Sequence, residues 1–289
     1  MSFTAQPADL GDALIAWFRR SGRALDVRAT SDPWAVLVAE TMSQQTQIAR
    51  VGPYWRRFLE RWPSPASFAT APTRDLLEAW AGLGYNRRAL ALRDAARRIV
   101  AEHGGTVPAD VEALEALPGV GPYTARAVAA SAFAIPVAPL DVNVRRVISR
   151  LTGERSPRAI QADGDRLIAA CRSGPASWVH AVMDLAATVC TRRSPHCADC
   201  PIAASCRSRG TAGDETANRG GAPSPAFERT NRWLRGRIVA RAREAAFGAW
   251  IVFDAPIGDH DAEAVRRAVD DLAAEGFLET DGGQARLRG

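Results

Sequence analysis

Cys190, Cys197, Cys200 and Cys206 fall within 17 residues in the pattern Cys-x6-Cys-x2-Cys-x5-Cys, and no other feature constrains the fold of this chain as strongly. A compact loop with that spacing wraps four thiolates around one metal centre, whereas four unrelated core cysteines have no reason to cluster. Two centres compete for the donor set. A zinc site usually takes two Cys-x2-Cys knuckles, of which one is present, and a cubane 4Fe-4S cluster takes single cysteines at uneven spacing. Cys171 stands apart and reads as a small buried core residue. The N-terminus lacks the basic start and apolar run of a secretory leader. The longest uncharged stretch, Ala127 to Leu140, is 14 residues broken by Pro136 and Pro139, too short for a bilayer. A cytoplasmic, nucleoid-associated protein with no membrane partner is expected, a compartment in which thiols rarely form disulfides.

From Leu10 to Ala204 the apolar residues recur at helical spacing, as in Leu14-Ile15-Phe18, Phe58-Leu59-Trp62, Leu76-Leu77-Trp80 and Leu114-Leu117. Trp62-Pro63-Ser64-Pro65, His103-Gly104-Gly105 and Pro118-Gly119 punctuate this pattern, which predicts short, tightly joined helices in an all-α domain over residues 1–206. Residues 207–230 carry almost nothing apolar and predict a linker. Residues 231–289 form a second unit. It reads as a helix from Trp233 to Ala245, a short apolar segment Trp250-Ile251-Val252-Phe253, a helix from Asp261 to Glu275, and a hairpin around Asp281-Gly282-Gly283. That order predicts a small winged-helix-like α+β module.

The formal charge is +5, and all 37 basic residues are arginine because the chain contains no lysine. Arginine's planar fork suits phosphates, but an arginine bias also follows from a GC-rich genome, so charge alone leaves a nucleic-acid partner open. From Thr230 onward 9 Arg stand against 10 Asp plus Glu, so the basic excess lies upstream and the tail does not read as a DNA clamp.

Leu117-Pro118-Gly119-Val120-Gly121-Pro122-Tyr123 joins two helices through two glycines, a turn that exposes backbone N–H groups at a helix N-terminus and so offers a phosphate site blind to sequence. An ordinary helix-helix turn is the plainer reading. Twenty residues beyond Gly121, Leu140-Asp141-Val142-Asn143-Val144-Arg145-Arg146 places an aspartate at the mouth of the next helix, where capping alone would explain it. Glu40 lies among Trp34, Val36, Leu37 and Val38, an apolar helix in which burial raises a carboxyl pKa, unless the residue occupies a solvated face.

Taken with the cysteine loop, these segments resemble the helix-hairpin-helix DNA glycosylases, and within them the MutY-type adenine glycosylases. The resemblance rests on Val38-Ala39-Glu40-Thr41-Met42-Ser43-Gln44-Gln45-Thr46-Gln47, Gly82-Leu83-Gly84-Tyr85, the Gly-Val-Gly hairpin with Tyr123, Asp141, Met183-Asp184-Leu185 and the four cysteines, across residues 10 to 206. It implies two helical subdomains, one of them holding a 4Fe-4S cluster on Cys190, Cys197, Cys200 and Cys206. It also implies Glu40 as general acid and Asp141, beside Asn143, as the carboxylate facing the sugar. The hairpin residues Gly119, Val120 and Gly121 would contact the DNA backbone. Gln44, Gln45, Tyr85 and Arg88 would engage the duplex, with Gln45 and Tyr85 filling the gap left by an extruded base. Tyr123 occupies the position where lyase-competent relatives such as endonuclease III carry a Schiff-base lysine, and a chain without lysine cannot form that imine. A monofunctional, monomeric glycosylase acting on double-stranded DNA with a damaged or mispaired purine is expected.

The chain departs from the family at the base pocket. Leu25-Asp26-Val27-Arg28 stands where Leu-Pro-Trp-Arg is usual, and Ser43 where leucine is usual. The tail is also too short for the Nudix-like domain that reads 8-oxoguanine opposite adenine. Val27 makes room and Ser43 adds a hydroxyl, so a modified adenine such as isoguanine is the alternative substrate beside adenine itself. A non-catalytic iron-sulfur protein that recognises DNA structure is the alternative of another class.

Overall fold

The computed structural model describes residues 6–211 and 226–289. Eleven helices precede residue 212: α1 (Pro7–Ser21), α2 (Pro33–Ser43), α3 (Ile48–Arg61), α4 (Pro65–Ala69), α5 (Thr73–Ala79), α6 (Arg87–His103), α7 (Val111–Glu115), α8 (Pro122–Ala132), α9 (Val142–Thr152), α10 (Pro157–Ala169) and α11 (Pro175–Thr188). Their starts follow from local chemistry. Proline, whose fixed φ suits the first turn and whose missing N–H is not needed there, opens α1, α2, α4, α8, α10 and α11. Asp32 caps α2 by accepting from the Ala35 amide at 2.7 Å, and Asp110 caps α7 from Ala113 at 2.9 Å.

These helices bury two separate apolar clusters. One gathers α2 through α8 around Trp34, Phe58, Trp62, Phe68 and Trp80, with ring centroids of Phe58 and Phe68 4.7 Å apart. The other gathers α1, α9, α10 and α11 around Leu14, Trp17, Ile148, Leu167 and Trp178, and the cysteine loop packs against it. The chain crosses between them through α8. Ala125 and Val128 belong to the first cluster and Ala130 to the second.

The tail forms α12 (Asn231–Glu244), β1 (Ile251–Val252), α13 (Ala262–Ala274), β2 (Leu278–Asp281) and β3 (Gln284–Leu287), with strand order β1-β3-β2, all antiparallel. The predicted hairpin is β2–β3. Its two-residue loop, Gly282 and Gly283, has φ of 53° and 83°, the left-handed pair that a tight hairpin requires. The apolar segment before α13 becomes a third strand, a pairing that two residues of sequence cannot announce. Leu234, Ile238, Phe277 and Leu278 continue the first apolar cluster, so this module rests on the helical body. Arg74 of α5 secures the contact by donating to the Arg243 and Ala245 carbonyls at 3.0 and 2.9 Å, the exposed C-terminal end of α12. Of the predicted linker, residues 212–225 lie outside the described residues. Its start is held to the body by the Arg207 and Ser208 amides, which donate to the Leu151 and Arg150 carbonyls. Among the described residues no helix is long and apolar enough to cross a membrane.

Candidate active site

Between the two apolar clusters lies a cavity of about 590 Å³ whose lining includes Glu40 and Ser43 from α2, Tyr123 from α8, Asp141, and His180 and Met183 from α11. Glu40 therefore rides on one core and Asp141 on the other. The Glu40 side chain borders the cavity, yet its carboxyl is enclosed by protein, and burial pushes its pKa up to about 7. Asp141 nearby raises it further, whereas hydrogen bonding by Tyr123 and the charge of Arg28 oppose the rise. The Tyr123 hydroxyl also approaches the Met183 sulfur at 3.8 Å, a weak contact that leaves it free to turn toward Glu40.

Asp141 caps α9, its Oδ1 accepting from the Asn143 and Val144 amides at 2.9 and 2.7 Å. Its Oδ2 accepts from the Asn143 side-chain amide at 2.8 Å. Asn143 in turn accepts from Arg146 Nη1 at 2.8 Å, and Arg146 Nε and Nη2 donate to the Cys190 and Ala186 carbonyls at 3.0 and 2.9 Å. One turn further, the buried Arg150 donates to the Thr191 and Arg192 carbonyls and lies 3.6 Å from Cys190 Sγ. Arg146 thus ties the aspartate to the cysteine loop, and Arg150 fastens that loop to α9.

Cys190, Cys197, Cys200 and Cys206 line one small cavity beneath that loop. Among the described residues no group of three or more His, Cys, Asp or Glu converges as ligands on a single ion. A cubane attaches each thiolate to a different iron, so it asks for four thiols around a shared space rather than around a point. Burial pushes the Cys200 thiol up to about 11, and the neighbouring Cys190, Cys206 and Cys197 raise it too. Four thiolates held this close repel one another unless a positive centre lies between them, and the donor set fits such a centre.

Arg23 and His180, which line the Glu40 cavity, carried no sequence signal, and neither did the clamp that Arg23 and Arg28 form on Asp184. Asp184, fully buried, receives Arg23 Nε at 2.8 Å and Nη2 at 2.6 Å, the Arg23 amide at 2.7 Å and Arg28 Nη2 at 2.7 Å. Burial alone would raise its pKa, but the hydrogen bonds from Arg28 and Arg23 hold it below the usual carboxylate range. Arg28 reaches the cavity through this clamp. His180 borders the same space, its pKa pushed down to about 4 by burial and by Arg28, so it stands there as a neutral imidazole. A lone histidine on an apolar helix carries no sequence signal that it faces a pocket. Ser43 lines the cavity beside Glu40, with its hydroxyl proton donated to the Ala39 carbonyl at 2.7 Å.

The residues expected to face the duplex divide in the same way. Gly119 has φ 76°, and a Cβ there would meet Ala91 at 2.7 Å, so the hairpin needs glycine to lie against α6. Gly121 has φ −97° and open space around it, which leaves the backbone approachable. Val120, expected to present its amide, instead closes the turn by donating to the Leu117 carbonyl at 3.1 Å. Gln44 reaches Thr124 at 3.3 Å, and Gln45 and Tyr85 adopt left-handed φ of 54° and 49° on adjoining loops. Arg88 is not available to phosphate. Its Nη atoms donate to the carbonyls of Thr41, Met42, Leu83 and Gly84, and burial pushes its pKa down to about 10.

Two helical subdomains flanking a carboxylate-lined cleft, with a glycine hairpin leading into the helix that carries Tyr123, define a base-excision scaffold. Residues 38–169 match the family described as HhH-GPD superfamily base excision DNA repair protein. An adenine DNA glycosylase of Mycobacterium tuberculosis (strain CDC 1551 / Oshkosh) is 42% identical over 251 residues, spanning 83% of this chain and 81% of that one. One of Mycolicibacterium smegmatis (strain ATCC 700084 / mc(2)155) is 36% identical over 96% of this chain and 95% of its own length. The solved structure of a thermostable thymine-DNA glycosylase superposes with TM-score 0.65 at 26% identity over 71% of this chain and 97% of that one. The chain belongs to the MutY-type adenine DNA glycosylase family of the helix-hairpin-helix superfamily.

Proposed function

We propose that this chain is a monofunctional glycosylase that hydrolyses the N-glycosidic bond of an adenine extruded from double-stranded DNA. The observation that carries this reading is Glu40, its pKa raised by burial to about 7, sharing one cavity with Asp141. The two carboxyls divide the work. Glu40 gives its proton to a ring nitrogen of the purine, so the base departs neutral, taking the electrons of the bond to the sugar. Asp141, oriented by two amides and Asn143, faces the sugar and offsets its developing positive charge. Water then adds to the sugar carbon, its proton returning to the Glu40 carboxylate, to give free base and an abasic site. Neutral His180 and the clamped Arg28 contact the base edge.

Tyr123 lines this cavity where an imine-forming amine would have to stand, and the chain has no lysine, so the product strand stays unbroken until alkali or heat is applied. Both carboxyls come from one chain, which supports a monomer. Cys190, Cys197, Cys200 and Cys206 would hold a 4Fe-4S cluster, whose metal–thiolate bonds would brace the loop on which Arg146 and Arg150 rest. The isoguanine alternative leans on a hydroxyl donor at Ser43, and that donor is turned onto the Ala39 carbonyl. Adenine remains the substrate.

Single-turnover base release from matched duplexes carrying adenine or isoguanine, opposite each normal base and opposite 8-oxoguanine, tests this reading. Adenine should leave fastest and Ser43→Leu should change little. Isoguanine released in preference, with that preference lost in Ser43→Leu, would overturn the substrate, and duplexes bound without any base release would overturn the activity.

A further inference from the structure

Asp184 lies behind the Glu40 cavity rather than on it, yet the side chains it grips border that space. Arg23 and Arg28 both line the cavity, and so does His180, one turn before Asp184 on the same face of α11. The Arg28 fork is held at both ends. Its Nη2 donates to Asp184 Oδ1 at 2.7 Å, and its Nη1 donates to Oδ2 and to the Arg23 carbonyl, each at 3.1 Å. The Arg28 side chain is 13% exposed against 37% for Arg23, so water screens Arg23 but hardly reaches Arg28. Asp184 is therefore the anion that answers a desolvated cation, and among the described residues no other carboxylate pairs with Arg28.

The consequence falls on Glu40. Titratable and charged groups face it across the cavity from every wall: Tyr123 from α8, Asp141 and Arg146 from α9 and its cap, His180 from α11, Arg192 from the cysteine loop, and Arg23 and Arg28 from the segment between α1 and α2. His180 is neutral, and Arg146 is turned onto Asn143 and two carbonyls. Arg28 is the cation whose charge works against the Glu40 proton. A guanidinium at contact range in a dry site lowers a carboxyl pKa by roughly 1–3 when nothing cancels it. We infer that Asp184 is a positioning residue of the excision site: by gripping both ends of the Arg28 fork it cancels that charge and holds it off Glu40, so the acid keeps its proton at neutral pH. Asp184 touches no reacting atom and acts only through Arg28. The inference rests on the part that the proposed function gives to Glu40.

The test titrates Glu40 directly in the full chain, without DNA. Isotopic labelling of the glutamate side-chain carboxyls gives NMR resonances, and the one lost in Glu40→Gln belongs to Glu40. In Asp184→Asn its titration midpoint should fall by about 1 pH unit, and in Asp184→Asn/Arg28→Met it should return to the parental value or above. Asp184→Glu keeps the charge and should titrate as the parent does. Single-turnover excision reads the same change: Asp184→Asn should lose about twofold at pH 6 and about tenfold at pH 8, whereas a purely structural defect would cost the same at both. If Asp184→Asn does not fold, Arg28→Met alone leaves Asp184 to Arg23 and should raise the midpoint. The inference fails if Asp184→Asn, or in its place Arg28→Met, leaves the midpoint unmoved, if the double variant stays low, or if Asp184→Glu falls as far as Asp184→Asn. A Glu40 resonance that moves as expected in a protein releasing no adenine would sink the proposed activity and leave this role standing.

Discussion

Glu40 shows how environment assigns a role to an ordinary carboxyl. Its pKa moves from 4.5 to about 7 through burial, so the acid form that donates the proton predominates below about 7 and falls about tenfold per pH unit above it. Single-turnover excision at saturating enzyme should therefore decline as pH rises through that value, and a rate flat to pH 9 would remove Glu40 from the role. Glu40→Gln keeps the shape without the proton; we expect excision to drop by ~10²–10⁴ with DNA affinity nearly unchanged. The same shift bears on stability with a definite sign: the neutral form is favoured on folding, so its contribution is complete below 4.5 and is lost as pH rises through about 7. Asp184 has the opposite sign. Its pKa is held down, so its contribution is present above 3.8 and is lost as pH falls through the lower folded value. Asp184→Asn strips the charge from between two arginines and should cost about 3 kcal/mol, the lower end for a broken buried pair because Arg23 is 37% exposed and partly solvated. Chemical denaturation at pH 7 measures it, and a loss under about 1 kcal/mol would show that water already carries both guanidinium groups.

At the scale of elements, Asp141 is both a cap and a candidate catalyst, and substitution separates the two. Asparagine caps a helix about as well as aspartate, so Asp141→Asn should melt with the parent while losing excision; Asp141→Ala should lose excision and about 1 kcal/mol of stability as well. Equal melting of all three would mean that α9 does not depend on this cap. The helices were legible because apolar spacing and proline starts are local signals, and the cysteines because their spacing is chemically specific, whereas Glu40 and Asp141 stood out only through the family resemblance. Arg88 was not. A sequence shows an arginine beside a tyrosine, but it does not show that the carbonyls closing α2 and the 83–84 turn lie within reach of its guanidinium. His180, the Val120 amide and strand β1 share that cause, since each depends on what a distant segment or a tight turn brings near. The tail's positive helix was hidden for a different reason: net charge is a sum, and the acids scattered beyond α12 cancel its arginines in it.

The whole molecule is organised by its division into two cores with the cysteine loop fastened to one of them. Protein purified without oxygen should be brown and contain about four irons per chain, and stoichiometric zinc instead would overturn the cluster. Replacing Cys200 with Ser should loosen the loop carrying the Arg146 and Arg150 contacts and so lower excision before it alters the first core, visible as lost activity with the Trp34, Trp62 and Trp80 fluorescence largely preserved. The split between the cores carries a further consequence, one of safety. An enzyme that cuts bases out of genetic material is dangerous when half-broken, because a loosened pocket would accept healthy bases. Here Glu40 and Asp141, the proposed proton donor and anion, are anchored in different halves, so damage that lets the halves drift separates the two groups before either half unravels. A warming ramp should thus silence base release at a lower temperature than the loss of helical circular dichroism. The failing molecule stops working while it is still folded, and an injured copy of this protein becomes inert rather than indiscriminate.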